Sequence, residues 1–266
     1  MYKRQPKPRV ALGATRGFGV PGESYLAVLD AMVDHANAFD LVLCRQEGGA
    51  AYMAAAWGKL TGEPGLCFVT RGPGATNATV GIHTAMQDSV PMILFVGQVG
   101  TDVMGREAFQ EVDYTAFFGP LAKWAVQIDH VDRVPEIISR AWTVAMSGRP
   151  GPVVVALPED MLVATSDRLP CNPVAIPEPA VPEAGAAQIA AMLGAAERPV
   201  MLVGGTRWTA GSARALESFA AANDVPVVAA FRFHDIIDNH CPSFVGDAGV
   251  AMNTYLKVLL READLI

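Results

Sequence analysis

A carboxylate stands where two very different stretches of this chain meet. Leu41–Cys44 is a short apolar run, Gly48–Leu60 is rich in alanine, and Arg45-Gln46-Glu47-Gly48-Gly49-Ala50 spans the join. If the first run is a strand and the second a helix, Glu47 lies part-buried at the carboxyl end of a strand, where α/β proteins form ligand sites. The plainer reading is a first-turn partner for the helix dipole. Two other segments share this setting. Gly19-Val20-Pro21-Gly22 makes a turn whose backbone can come close to a ligand. Thr70-Arg71-Gly72-Pro73-Gly74-Ala75-Thr76-Asn77 joins another apolar run to another helix, and a helix N-terminus behind Gly-Pro-Gly offers unpaired backbone N–H groups to a polar ligand. Taken singly, each is also readable as a plain turn.

Several chemistries are excluded by what these segments lack. The Thr70–Asn77 turn is no P-loop, since no Gly-Lys-Ser/Thr follows it, and Asn77 stands where the dinucleotide fingerprint needs its third glycine. Gly22-Glu23-Ser24-Tyr25 is followed by Leu26, so the hydrolase elbow fails. His35, His83, His130, His234 and His240 have no metal-ligand spacing, and Cys44, Cys67, Cys171 and Cys241 form no CxxC pair. No metal ligand is therefore assigned. Phe109-Gln110-Glu111-Val112-Asp113 reads as an acidic loop, and Ser147-Gly148-Arg149-Pro150-Gly151-Pro152-Val153 as a turn into a strand.

The elements that must hold these turns follow from periodicity. Ser24 is a plausible N-cap for a helix in which Leu26, Leu29 and Val33 recur at helical spacing. Strands are expected at Leu41–Cys44, Leu66–Thr70, Pro91–Gly97, Trp124–Ile128 and Gly151–Leu157. Helices are expected at Gly48–Leu60, Ala75–Gln87 and along the Val134-Ile137-Ile138-Ala141-Trp142-Ala145 face. Apolar strands alternating with helices predict an α/β fold, a parallel sheet flanked by helices on both faces. Six prolines between Pro158 and Pro182 predict a linker over 166–183. A second, Rossmann-like βα series begins at 184, with helices near 184–196, 210–222 and 252–262 and strands at Pro199–Gly204 and Pro226–Phe231. Ala263–Ile266 reads as the opening of one more strand, so this second domain is expected to be truncated. At the other end only a proline-rich stretch precedes Gly19, where a helix and strand would normally stand.

Composition limits the partners. Of 266 residues 51% are hydrophobic and 18% charged, enough for a sizeable core. The formal net charge of −7 argues against nucleic acid or an anionic membrane. The basic cluster Lys3, Arg4, Lys7 and Arg9, interleaved with prolines, reads as a frayed tail. No apolar run approaches the roughly 18 residues of a spanning helix, and no signal peptide is visible. Cys44 and Cys67 lie in apolar runs, and the cysteine usage suggests a reducing, cytoplasmic setting.

Together, in this order and spacing, Gly19–Gly22, Arg45–Ala50, Thr70–Asn77, Asp88-Ser89-Val90-Pro91, Gly97-Gln98-Val99, Phe109–Asp113 and Ser147–Val153 resemble the pyrimidine-binding domain of thiamine-diphosphate (ThDP) enzymes of the acetolactate-synthase type. The resemblance covers 19 to about 160, and 184–266 resembles more weakly the start of that family's central domain. It implies a tail over 1–18, a pyrimidine-binding domain over 19–165 and a partial central domain over 184–266.

The resemblance also implies roles. Glu47 is matched to the glutamate that contacts N1′ of the cofactor's aminopyrimidine, and Val20, Pro21, Gly22, Thr70, Pro73, Gly74 and Asn77 to the surrounding pocket. Phe109 and Gln110 are matched to the substrate channel, with Gln110 also a catalytic candidate, and Arg149 to an arginine that touches FAD in flavin-containing members. A carboxyl at N1′ favours the imino form whose 4′-nitrogen removes the C2 proton, so that carboxyl must share a proton near neutral pH, which an apolar surround promotes. The implied function is a lyase or carboligase acting on 2-keto acids, in branched-chain amino-acid biosynthesis, working as a homodimer or homotetramer. Mg²⁺ and the diphosphate would be held by a third domain. Gly246-Asp247-Ala248-Gly249 mimics the metal motif of that domain but is rejected as a metal site, because too few residues follow it. Glu159 stands where acetolactate synthases usually carry Lys, and the flavin segments are incomplete. FAD is therefore not expected to bind well. The rival readings are a ThDP decarboxylase or transferase of acyl-CoA or sulfonated substrates, and a non-catalytic nucleotide-binding regulator.

Overall fold

The computed structural model describes residues 12–266 except 173, 178 and 179. The cluster Lys3, Arg4, Lys7 and Arg9 lies outside the described residues, as do Pro173 and Pro179. The chain divides into two compact units, Met1–Pro177 and Glu178–Ile266. Between Val163 and Glu183 the described residues form neither helix nor strand.

The first unit is built on six parallel strands: β1 (Arg16–Gly19), β2 (Asp40–Leu43), β3 (Gly65–Val69), β4 (Met92–Gln98), β5 (Trp124–Gln127) and β6 (Pro152–Pro158). Their order across the sheet is β2-β1-β3-β4-β6-β5. Every residue of β3, β4 and β6 is buried, which is why these strands read as unbroken apolar runs. Helices α2 (Glu47–Thr61) and α3 (Pro73–Asp88) cover one face, packing Ala50, Ala54, Ala78 and Ile82 against Cys67, Leu94 and Val96. Helices α1 (Leu26–Asp34) and α5 (Val134–Met146) cover the other, over the stacked rings of Phe68 and Phe95, whose centroids are 4.9 Å apart. Short helices α4 (Tyr114–Phe118) and α6 (Glu159–Val163) complete the unit.

Two sequence expectations need correction here, and two short helices were not expected. The stretch before Gly19 is not empty of structure: β1 ends there and lies inside the sheet, one strand from its edge, paired with both β2 and β3. Its sequence, Arg-Gly-Phe-Gly, has no strand-like pattern because the fold needs glycine there. A Cβ on Gly17 would lie 2.8 Å from the rings of Phe39 and Phe68, and one on Gly19 would lie 2.7 Å from the Phe68 carbonyl oxygen. Ser24 does not cap the first helix. A 3-10 turn over Glu23–Tyr25 precedes α1, and the buried Ser24 hydroxyl bonds to Thr70 Oγ1 at 2.8 Å. Finally, α4 and α6 escaped periodicity because each is only five residues long. A capping signal for α4 was present: Asp113 accepts from the N–H groups of Thr115 and Ala116, both at 3.0 Å.

The second unit carries a three-stranded parallel sheet, β7 (Met201–Val203), β8 (Val227–Ala230) and β9 (Phe244–Ala248), with helices α7 (Glu183–Ala195), α8 (Ala210–Ala222) and α9 (Thr254–Glu262). Ala220 of α8 packs with Val203 and Val227, while Leu256 of α9 packs with Val228. Strand β9 was not expected from sequence, since Gly246 breaks its pattern with φ +126 and the β8–β9 register shifts. Gly246-Asp247-Ala248 therefore lies within a strand. The final residues begin to pair, with a parallel bridge between Pro199 and Leu265.

Candidate functional site

The sheet order locates a crevice. From β1 the chain crosses to β2 on one side and then to β3 on the other, so the connections leaving β1 and β3 diverge at their carboxyl ends. Such a switch point is where open parallel sheets bind ligands. Val20, Pro21 and Gly22 leave β1 there, Thr70 to Pro73 leave β3, and Glu47 opens the helix that follows β2.

The helix starts set the side chains. Gln46 caps α2, its Oε1 accepting from Gly49 N at 2.7 Å, which makes Glu47 the first helical residue. Pro73 opens α3, where its fixed φ and missing N–H carry no penalty. One turn later Asn77 Nδ2 donates to Glu47 Oε2 at 3.0 Å. Glu47 is half-buried, and among the described residues its Oε1 has no hydrogen-bond donor. One carboxylate oxygen is thus oriented by Asn77 and the other is open to a ligand.

Glycines keep the space beside that oxygen clear. A Cβ on Gly74 would stand 3.5 Å from Glu47 Oε1 and 2.9 Å from Thr70 Cγ2, and one on Gly22 would stand 2.5 Å from Thr70 Cβ. Thr70 is fixed through Ser24, and the Val20 carbonyl accepts from Tyr25 Oη at 2.6 Å. Burial pushes the Tyr25 phenol up, and the nearby Cys67 and Glu47 disfavour a phenolate in the same direction, so Tyr25 remains a donor. A half-buried carboxylate beside a glycine-cleared cradle fits a planar ring with a basic nitrogen.

The structure brings a second group to the same end of the sheet. Gly72 N donates to Tyr114 Oη at 2.7 Å, and a Cβ on Gly72 would stand 2.8 Å from Gln110 Cβ. Gln110, half-buried, has φ +65, and Phe109 is 73% exposed. Sequence reasoning named Phe109 and Gln110 but missed Ser24, Tyr25 and Tyr114 as site residues, each of which has a partner 42 to 47 positions away in sequence. Arg149 lies elsewhere. Its guanidinium donates to Ser89 Oγ at 2.6 Å and to the Met86 and Gln87 carbonyls at 2.9 and 3.3 Å. Those groups end α3, 9 to 12 residues beyond Asn77 in a helix that rises about 1.5 Å per residue, so they lie about 15 Å from Asn77 along the helix axis. Among the described residues no group of three or more His, Cys, Asp or Glu is placed to hold a metal ion.

Comparison with known proteins gives two matches to protein families. Residues 10–117 match the thiamine pyrophosphate enzyme N-terminal TPP binding domain, and residues 186–266 match the thiamine pyrophosphate enzyme central domain. Among curated relatives, the Escherichia coli acetolactate synthase isozyme 2 large subunit is 34% identical over 256 residues, covering 96% of this chain and 46% of that protein. The isozyme 3 large subunit of the same organism is 38% identical over 223 residues, covering 81% of this chain and 38% of the relative. The mitochondrial acetolactate synthase catalytic subunit of Saccharomyces cerevisiae is 34% identical over 261 residues, covering 94% and 38%. The chain spans less than half the length of each.

Proposed function

Because this chain belongs to the thiamine pyrophosphate enzyme family, we propose that it forms the cofactor-activating part of a lyase or carboligase acting on 2-keto acids, with Glu47 as the activating residue. The observation that carries this reading is the Glu47–Asn77 pair at 3.0 Å, set in a glycine-cleared crevice at the switch point of the sheet. When bound, ThDP would supply a nucleophilic thiazolium carbon for chemistry on a 2-keto acid. In this reading the chain's own residues do four things. Glu47 Oε1 meets N1′ of the aminopyrimidine and shares a proton with it. Asn77 holds the carboxylate in one rotamer. Val20, Pro21, Gly22, Thr70, Pro73 and Gly74 surround the ring. Phe109 and Gln110 meet the substrate, and Gln110 is near enough to the Gly72 turn to orient the acceptor. The test is product analysis: incubated with pyruvate, ThDP and Mg²⁺, the enzyme in which this chain is joined to a diphosphate-binding domain is expected to release carbon dioxide and form acetolactate. Carbon dioxide release without a carbon–carbon bond formed would replace the carboligase with a decarboxylase.

Two further results are expected. The 266-residue chain alone should bind ThDP with Mg²⁺ no more tightly than about millimolar, because metal-bridged phosphate oxygens supply much of the affinity of such cofactors. Isothermal calorimetry checks this, and micromolar binding would mean that the chain carries a diphosphate site of its own. FAD is expected to bind weakly or not at all, because the Arg149 guanidinium is already committed to the end of α3. A purified enzyme that is yellow with stoichiometric flavin would overturn this.

The oligomer we propose is a homodimer or homotetramer with the Glu47 crevice facing a second copy. On β2, α2 and α3, the elements that meet at that crevice, Leu43, Met53 and Val80 are 67%, 48% and 45% exposed, apolar surface that a second copy could cover. A reducing, cytoplasmic setting agrees with four unpaired cysteines, one of them the fully buried Cys67. No helix among the described residues is long and apolar enough to cross a membrane.

A further inference from the structure

Among the described residues of the first unit Arg71 is the one buried arginine, 8% exposed, and its whole guanidinium is engaged. Nη2 bonds to Glu23 Oε1 at 3.0 Å, Nη1 bonds to Glu159 Oε1, and Nε donates to the Phe109 carbonyl at 3.2 Å. Its backbone N–H donates to Ser24 Oγ at 3.3 Å. Arg71 and these partners join four separate connections: Glu23 and Ser24 follow β1, Arg71 follows β3, Phe109 lies between β4 and α4, and Glu159 follows β6.

The connection holding Phe109 needs such a support. It runs from Val99 to Asp113 without helix or strand. Glu111 ties its middle, accepting from Gly105 N at 2.6 Å and Ala108 N at 3.0 Å. Gln110 is held at φ +65, a region that non-glycine residues avoid unless their surroundings impose it. What imposes it on either side is Arg71 on the Phe109 carbonyl and the bare Gly72 against Gln110 Cβ. The charges explain why the support is an arginine. One buried cation balances two carboxylates, and only a forked guanidinium can meet both and still direct Nε to a carbonyl.

We propose that Arg71 is a positioning residue for the substrate: through Glu23 and Glu159 it is locked in place, and through the Phe109 carbonyl it fixes where Phe109 and Gln110 stand relative to Glu47. The geometry is independent of any activity; the word substrate rests on the function proposed above.

The experiment compares Arg71→Lys and Arg71→Met by hydrogen–deuterium exchange on the 266-residue chain. Lysine keeps the positive charge for Glu23 and Glu159 but lacks the Nε donor. In Arg71→Lys the amides of 105–111 are expected to exchange about tenfold faster while those of β3, β4 and β6 keep their parent rates. In Arg71→Met, where two carboxylates face each other without a cation, the same loop should loosen further. If Met prevents folding, the Lys variant alone decides. Unchanged exchange at 105–111 in Arg71→Lys, or faster exchange spread evenly over the strands, overturns the proposal and leaves an ordinary ion pair. In the enzyme joined to a diphosphate-binding domain, Arg71→Lys should raise KM for pyruvate about tenfold and leave exchange of the cofactor C2 proton unchanged. A slowed C2 exchange would move Arg71 to the cofactor turn and overturn its assignment to substrate. Should the parent enzyme not turn over pyruvate, that failure belongs to the proposed function, and the amide exchange still decides the role of Arg71.

Discussion

Glu47→Gln slows exchange of the cofactor C2 proton by about 10²–10⁴ in the enzyme that joins this chain to a diphosphate-binding domain, before any substrate is added. Glutamine has nearly the same shape, and its Oε1 can accept from Asn77 Nδ2 as Glu47 Oε2 does at 3.0 Å. The crevice therefore keeps its geometry and loses only a group able to share a proton with a ring nitrogen. Proton NMR of C2 deuterium exchange measures the effect directly. The competing explanation, a carboxylate that merely favours the N-terminus of α2, makes a different forecast: about 0.3–1 kcal/mol of stability lost, and exchange unchanged. Melting temperature and exchange rate, measured on the same variant, separate the two. Parent-like exchange in Glu47→Gln would remove Glu47 as the activator and take the centre out of the proposed function.

Gly81→Val lowers the stability of the chain by about 3 kcal/mol or more, at the upper end of overpacking costs. Gly81 faces α2, and a Cβ there would stand 2.4 Å from Ala51 Cβ and 2.8 Å from the Ala51 carbonyl carbon. Ala51 is fully buried and has nowhere to move. The contact lies one helical turn below the site, since Glu47 precedes Ala51 by four residues and Asn77 precedes Gly81 by four. Pushing α2 from α3 at this level therefore also lengthens the Glu47–Asn77 hydrogen bond. For a domain of this size the melting temperature should drop by about 6–12 °C, read by circular dichroism on the 266-residue chain. Gly81→Ala should show a smaller drop, partly restored by Ala51→Gly. A Gly81→Val chain that melts with the parent would mean that the helices are not held together by this close approach.

The alternation of apolar runs with helical spacing specified a parallel α/β sheet, because strands buried on both faces must be apolar throughout, as β3, β4 and β6 are. The chemistry of the crevice was also local enough to read. Glu47, Gly74 and Asn77 each belong to a strand–turn–helix segment whose function depends on a few neighbouring residues. The sequence in that sense determined which side chains are available and at which ends of which elements they stand. It did not reveal β1, the strand at which the crevice opens. Strand β1 is Arg-Gly-Phe-Gly, and its glycines make room for Phe39 and Phe68, residues remote in sequence that no local pattern reveals. Nor could it assign Ser24, whose hydroxyl suits a helix cap until Thr70 is brought within 2.8 Å. The same holds for Arg71 and Arg149, two arginines in recognisable motifs. Their roles were decided by the carboxylates, carbonyls and hydroxyl that folding places around them, 38 to 88 positions away in sequence. A side chain with several donors takes its function from whichever acceptors surround it, and only the tertiary structure decides which those are.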